Sequence, residues 1–444
     1  MTLTRQLRLN GLAPSLLLTL VLGLAACETT GTRPPAPISQ GGERAPITEP
    51  GIQTGDLENP NTPDGEFADV DVTPLEPQPL DDGFTPPHMV GRDIQRFAVL
   101  LPFSHPRANV RRESEGLLAA IELALFNSGN DNVLIMPKDT AGTVQGANDK
   151  AREALEEGAD VFIGPLFANN VKAVRSLAYA DSIPVIAFSN DPSAAGSGAY
   201  LVSISPEEEV ERAVDYATRR GIRTFAYLGP SNDYGRRVER TLQEAAALRG
   251  STVLISSFYL ASDDTPVDAA QQVSEVLIEE LERTPESETI AVLVPERGVK
   301  LRAVAPLLPY YGVDTRRIQL LGTGFWNDAS LWREPTLAGG IFAAPPTEAL
   351  DGFNESYQRN YNREATQLAS QGYDAAALAI QLAEGPGIDQ ATVTEPDGFF
   401  GVNGLFRFRT DGTAQRGLSV YRIAPDGTLR EAEAAPDSFA GEEG

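Results

Sequence analysis

Short apolar runs alternate with amphipathic stretches from Phe97 onward. Phe97-Ala98-Val99-Leu100-Leu101 is a continuous apolar run, the pattern of a strand covered on both faces. Over 115–125, Leu117, Leu118, Ile121 and Leu125 fall on one helical face. The alternation then repeats. Strands are predicted at 133–136, 161–163, 185–188, 225–228, 253–256, 290–294 and 319–321. Helices are predicted between most of them, at 145–157, 170–180, 206–220, 236–248, 267–282 and 300–308. Strands that alternate with helices predict βαβ units, hence an α/β fold with mostly parallel sheet. About 330 residues of this pattern exceed what one doubly wound core usually holds, so two α/β lobes are expected. A helix over 353–368 follows, then Gly372-Tyr373-Asp374 and an alanine-rich helix over 375–382, with Asp374 placed to cap it. Beyond this, 401–408 and 417–423 alternate apolar and polar residues around Asp411-Gly412, which predicts an antiparallel hairpin with one wet face. The acidic, alanine-rich stretch 431–444 reads as a frayed tail.

The chain ahead of Phe97 has a different pattern. Residues 28–93 hold twelve prolines, many acids and few aliphatics. Such a stretch cannot bury enough apolar surface to offset its ordering entropy, so it reads as a disordered, partly polyproline tether. A proline-rich docking motif is the other reading, but no PxxP repeat with flanking basic residues supports it. Earlier still, Arg5 and Arg8 precede the apolar run 16–24, which ends in Leu24-Ala25-Ala26-Cys27. A charged start, a short apolar run and small residues at the cut make a secretory signal. The run is too short for a membrane-spanning helix, which needs roughly 20 apolar residues. Cys27 is the chain's only cysteine, and its position resembles the lipobox of bacterial lipoproteins. That resemblance implies cleavage before Cys27 and acylation of it, and two or more acyl chains anchor a protein stably. A soluble exported protein with an incidental cysteine is the alternative. Glu28 follows, and the best-known inner-membrane retention signal is an aspartate at that position, so the outer membrane is favoured.

Charge narrows the partners. The chain has 36 basic and 62 acidic residues, a formal charge of −26, and removal of 1–26 would take away only Arg5 and Arg8, leaving −28. Such a chain repels nucleic acid and anionic lipid. Few catalytic constellations can be built. The two histidines are His88 in the tether and His105 after the first strand, and no Gly-x-Ser-x-Gly elbow, phosphate loop, HExxH or Cys-x-x-Cys occurs. No catalytic residue, metal site or cofactor is assigned. Gly322-Thr323-Gly324 lacks the third glycine of a dinucleotide loop and reads as a turn. The acids at 153–157 and 207–211 read as solvated helix faces, and Glu207, Glu208 and Glu209 also fall in a first helical turn after Ser205-Pro206, where they complement the dipole. Arg219-Arg220, Arg236-Arg237 and Arg316-Arg317 are either solvated or available to acids on a partner.

The order of elements resembles the type I periplasmic binding protein fold shared with leucine-binding receptors. The matching segments are Leu101-Pro102-Phe103-Ser104, Ile163-Gly164-Pro165, Ile183-Pro184-Val185-Ile186, Asn232-Asp233-Tyr234-Gly235, Tyr373-Asp374-Ala375, and 401–412 with Phe408 and Asp411-Gly412. The resemblance covers about 94–430. It implies two doubly wound lobes joined by three crossovers, near Ser205, Pro345 and Gly401, with a cleft between them. The expected organisation is then a signal peptide over 1–26, a tether over 27–93, the binding-protein domain over 94–430 and a tail over 431–444. Lobe 1 would take about 94–204 and 346–400, and lobe 2 about 205–345 and 401–430.

One stretch points to a narrower family. Gly164-Pro165-Leu166-Phe167-Ala168-Asn169-Asn170-Val171 resembles the Gly-Pro-Leu-x-x-Asn-Asn-Val segment of penicillin-binding protein activators, and Ser205-Pro206-Glu207-Glu208-Glu209 resembles their Ser-Pro-Glu segment. The best-known form of that family carries a long helical-repeat domain before this fold, where this chain has its proline-rich stretch. The resemblance implies a non-enzymatic outer-membrane lipoprotein that binds and activates a bifunctional penicillin-binding protein, a peptidoglycan synthase, across the periplasm. The fold equally suits a receptor that delivers an amino acid or related small ligand to an ABC transporter. In either case the candidate cleft residues are Phe103, Ser104, Pro165, Leu166, Phe167, Ser189, Asn190, Tyr234, Phe325, Trp326 and Tyr373. Phe103, Phe167, Phe325 and Trp326 are read as interlobe packing or as ligand contacts. The bulk of Leu166-Phe167 argues for a filled or closed cleft.

Overall fold

The computed structural model describes residues 85–439. The signal peptide over 1–26, Cys27, the tether up to residue 84 and the last five residues lie outside the described residues. Five parallel strands form the first sheet: β1 (Gln95–Leu101), β2 (Val133–Asp139), β3 (Val161–Ile163), β4 (Val185–Ala187) and β5 (Ala199–Leu201), in the order β2-β1-β3-β4-β5. The helices α1 (Ala108–Ser128), α2 (Val144–Glu156) and α3 (Ala168–Ala178) connect them. The apolar run of β1 is buried on both sides. Phe97, Val99 and Leu101 join Leu117 and Ile121 of α1, while Ala98 and Leu100 face Ala147 and Ala151 of α2 and Val171 of α3.

The second lobe opens with α4 (Pro206–Arg219), β6 (Thr224–Pro230), α5 (Asp233–Leu248), β7 (Thr252–Tyr259), α6 (Val267–Arg283) and β8 (Ile290–Leu293). It continues through α7 (Gly298–Val304), α8 (Leu307–Tyr310), β9 (Ile318–Gly322) and β10 (Ile341–Ala344). Two of its helices, α4 and α5, begin on side-chain caps: Ser205 Oγ accepts from Glu208 N at 3.2 Å, and Asn232 Oδ1 from Gly235 N at 2.8 Å. The chain then returns to the first lobe as α9 (Thr347–Tyr361) and α10 (Ala369–Glu384), which pack on α1 through Phe353, Tyr357, Ala120 and Leu123. A short helix α11 (Gln390–Val393) leads into a three-stranded antiparallel sheet: β11 (Phe399–Gly401), β12 (Gly404–Phe408) and β13 (Ala414–Arg416). Finally β14 (Ser419–Ile423) and β15 (Leu429–Glu433) complete the second sheet, in the order β15-β14-β10-β9-β8-β6-β7. The strands from β6 to β10 are parallel there, and β14 and β15 are antiparallel. This is the two-lobed α/β fold that the alternation predicts.

Four expectations need correction. The hairpin around Asp411-Gly412 pairs β12 with β13, and 419–423 pairs instead with β10 in the other sheet. Residues 399–416 therefore belong with lobe 1: Phe399, Phe406 and Phe408 extend its core, and the third crossover is at 417–418, not near Gly401. Strand alternation fixes which face is apolar but not which sheet supplies the neighbour. The segment 429–439 is not frayed. Glu433 in β15 meets Arg212 of α4 at 2.8 Å and also Arg219, and Phe439 is only 4% exposed with the Arg407 guanidinium 4.6 Å from its ring centre. Likewise the last described part of the tether packs on the domain, with Met89 buried and Thr85 Oγ1 accepting from Arg96 Nη2 at 2.8 Å. No helix among the described residues is long and apolar enough to cross a membrane.

Candidate functional site

The segments that follow β3, β4, β5, β9 and β10 converge with the starts of α4, α5 and α10 on a cavity of 630 Å³. This is the crevice outside the carboxyl ends of parallel strands where α/β folds place ligands, and its volume suits a small molecule. One wall is apolar, with Leu166, Phe167, Phe188, Leu350 and Leu368. Its polar groups are mostly uncharged, with Ser189, Asn190, Ser203, Gln367, Gln371 and Asn403 from the first lobe and Tyr234 and Asn327 from the second. Among the described residues no Lys, Arg or His lines it; its acids are Asp191 and Glu209.

Six of the sequence-predicted residues meet here: Leu166, Phe167, Ser189, Asn190, Tyr234 and Phe325. Tyr234 and Phe325 pack with ring centres 5.1 Å apart, and Tyr234 Oη is 2.9 Å from Thr323 Oγ1. Phe167 stands on the wall beside His105, ring centres 5.6 Å apart, and does not fill the cavity. The other five do not line it. Trp326 is 0% exposed in the core of the second lobe, where its Nε1 donates to Val294 O at 3.2 Å. Tyr373 faces α1 and α9, accepting from Asn127 Nδ2 at 3.2 Å and meeting Phe353 edge-on. Phe103 packs against the first core, Pro165 is buried behind the Gly164-Pro165 cis peptide, and Ser104 is an exposed residue whose N–H donates to Asp139.

The acids at the start of α4 are half-buried and held by partners, not a freely solvated face as the acid run suggests, nor do they merely complement the dipole. Glu209 turns into the cleft, where Oε2 accepts from Gly324 N at 2.8 Å. A Cβ at residue 324 would stand 2.3 Å from Glu209 Oε1, so only glycine admits the carboxylate there. Burial pushes the Glu209 carboxyl up to about 8, and the charges of Glu208 and Glu207 add to that. Glu208 Oε1 accepts from Arg416 N at 2.7 Å, and burial pushes its carboxyl up to about 7. Glu207 forms a two-point pair with Arg237 at 2.7 and 2.8 Å, and Arg237 Nη2 also donates to Asn190 O across to the first lobe at 2.7 Å. Arg237 thus serves an internal acid, as Arg219 does.

Asp374 corrects the last expectation. It sits inside α10, not at its start, and both its oxygens are used. Oδ1 accepts from Val402 N at 2.6 Å, and Oδ2 from Asn403 Nδ2 at 2.8 Å. The Arg416 guanidinium is 4.0 Å away, and both side chains are 0% exposed. Arg416 Nη2 also donates to Val202 O. The last residue of β13, next to the third crossover, therefore touches the first crossover through Val202, the first lobe through Asp374 and the second lobe through Glu208. The missed cleft residues had one legible signal: Glu209 is four residues from buried Ala213, hence on the inward face of α4.

A family model described as periplasmic binding protein matches residues 95–428. The chain belongs to the periplasmic binding protein family. Solved structures share its fold. An ABC transporter substrate-binding protein from Sphaerobacter thermophilus is 18% identical, with a TM-score of 0.60 over 78% of this chain and 97% of that one. A solute-binding protein from Rhodopseudomonas palustris, in complex with 3,4-dihydroxybenzoic acid, is 16% identical, with a TM-score of 0.55 over 78% and 98%. The leucine-binding protein LivK from Thermotoga maritima is 17% identical, with a TM-score of 0.52 over 78% and 99%. At these identities the likeness is one of fold alone. A search of curated proteins by sequence found no match.

Proposed function

We propose that this periplasmic binding protein is a solute receptor that takes a small ligand between its lobes and presents it to a membrane transporter. It acts by binding, not catalysis, on the periplasmic side of the envelope, held there by acylated Cys27. The observation that carries this reading is the 630 Å³ cleft with its serine and amide wall, which neither Phe167 nor Trp326 plugs. The solved structures of this fold named above as substrate- or solute-binding proteins support it. A ligand at about 100 times its Kd adds about 2.7 kcal/mol to stability, enough to raise the melting temperature by several degrees. A thermal-shift screen of amino acids, amines, aromatic acids and small peptides is expected to find such a ligand. A screen in which nothing shifts the transition refutes the reading.

A second reading rests on the 164–171 and 205–209 segments: a lipoprotein that docks on a peptidoglycan synthase and favours its active state. It predicts recovery of a bifunctional penicillin-binding protein when the anchored chain is purified from solubilised envelope. Its absence from such preparations counts against that reading and leaves the receptor reading untouched.

A further inference from the structure

The charge balance of the cleft narrows the ligand, provided that the receptor reading holds. We propose that the cleft selects a cationic amine, with its ammonium group against Glu209 and its apolar body along Leu166, Phe167 and Phe188. Two acids and no side-chain cation line the cavity among the described residues. Asp191 is already engaged, accepting from Ser193 N at 3.0 Å and from Ser193 Oγ at 2.7 Å. Glu209 has a single hydrogen-bond donor, Gly324 N, and no ion-pair partner among the described residues. A carboxylate taken from water without a counter-charge is costly, and the retained cost marks a site where a charge is expected from outside. An ammonium supplies it, and the Tyr234–Phe325 pair beside it offers ring faces that attract cations. Arg297, 5.0 Å from the Phe325 ring centre, does not line the cavity. A carboxylate ligand would instead meet Asp191 and Glu209 with no cation among the cavity-lining side chains, since Lys172 and Arg237 lie near Asp191 but outside the lining.

The groups that face Glu209 are Glu207 and Glu208 on its own helix and Tyr234 on α5, with Gly324 N–H from the turn after β9. Glu207 is held by Arg237, so the raised proton affinity of Glu209 makes amine binding strengthen with pH. The test uses matched pairs followed by thermal shift and calorimetry: benzylamine against benzoate, 3-methylbutylamine against 3-methylbutanoate, and leucine as a zwitterion. The amines are expected to bind the parent protein more tightly from pH 6 to 8. Glu209→Gln is expected to weaken them roughly tenfold or more and to flatten the pH profile. If that variant does not fold, the parent's pH profile alone decides. Benzoate or leucine binding without the amines overturns the proposal and leaves the receptor reading standing. Amines that bind parent and variant equally overturn the role of Glu209. A failure of all five probes together with the wider screen above overturns both.

Discussion

Glu209→Gln should make the protein more stable at alkaline pH while changing little at acid pH. The glutamine keeps an Oε acceptor for Gly324 N–H and nearly the same volume, and it removes the ionisation. In the folded protein the carboxyl is raised from 4.5 to about 8. Between those values the folded state holds a proton that the unfolded chain has lost. The contribution to stability is therefore largest below 4.5, falls as pH rises through that window, and levels off above 8. The gap is three to four powers of ten in proton affinity, about 5 kcal/mol at about 1.4 kcal/mol each. That is an upper bound, because the carboxylate keeps some contact with water. About half of it, 2 to 3 kcal/mol, is the expected advantage of the variant at pH 9, with agreement within about 1 kcal/mol at pH 5. The assay is urea unfolding at intervals from pH 5 to 9, read by the fluorescence of buried Trp326. Parallel pH profiles for parent and variant, or a variant weaker at pH 9, would refute the argument.

Other substitutions test the placement of the remaining side chains. Trp326→Ala should cost about 3 to 5 kcal/mol in stability, because it empties core volume in the second lobe, and should leave ligand affinity of the folded fraction unchanged. Asp374→Ala strands the buried Arg416 guanidinium and the Val402 N–H; a loss of about 3 to 5 kcal/mol is expected, read by denaturant melts, and a loss below 1 would rule out the network. Removing 434–444 uncovers the site of Phe439 and should lower stability by about 1.5 to 3 kcal/mol, whereas a frayed tail would cost nothing.

Much of the fold is legible because its signals are local. The run at Phe97, the Ser205-Pro206 and Asn232 caps and the helical faces each follow from a few neighbouring residues. What escapes the sequence depends on partners far along the chain. Phe325 and Trp326 are adjacent and look alike, yet one lines the cleft and the other is core. The choice is made by Gly322 and Gly340, where an added Cβ would stand 2.1 and 2.7 Å from the indole of Trp326. A glycine four residues before a tryptophan is a visible hint, but Gly340 lies on another segment. Glu208 and Glu209 resemble ordinary first-turn acids until Arg416 and Gly324 are brought to them, 208 and 115 residues away. Asp374 reads as a cap because its true partners, Val402 and Asn403, are on β11's turn.

The position of Arg416 constrains how such a protein can breathe. Three chain segments pass between the lobes, and in principle they could slide, twist or bend independently. Here the backbone of Arg416 is tied to Glu208 of one lobe, and its side chain to Val202 O and Asp374 of the other. Any swing of the lobes that keeps these bonds must turn about that residue, like a door on one pin. Changes at 202–205 or 345–346 would then alter how far the door opens, while a change at 416 would alter the line about which it turns.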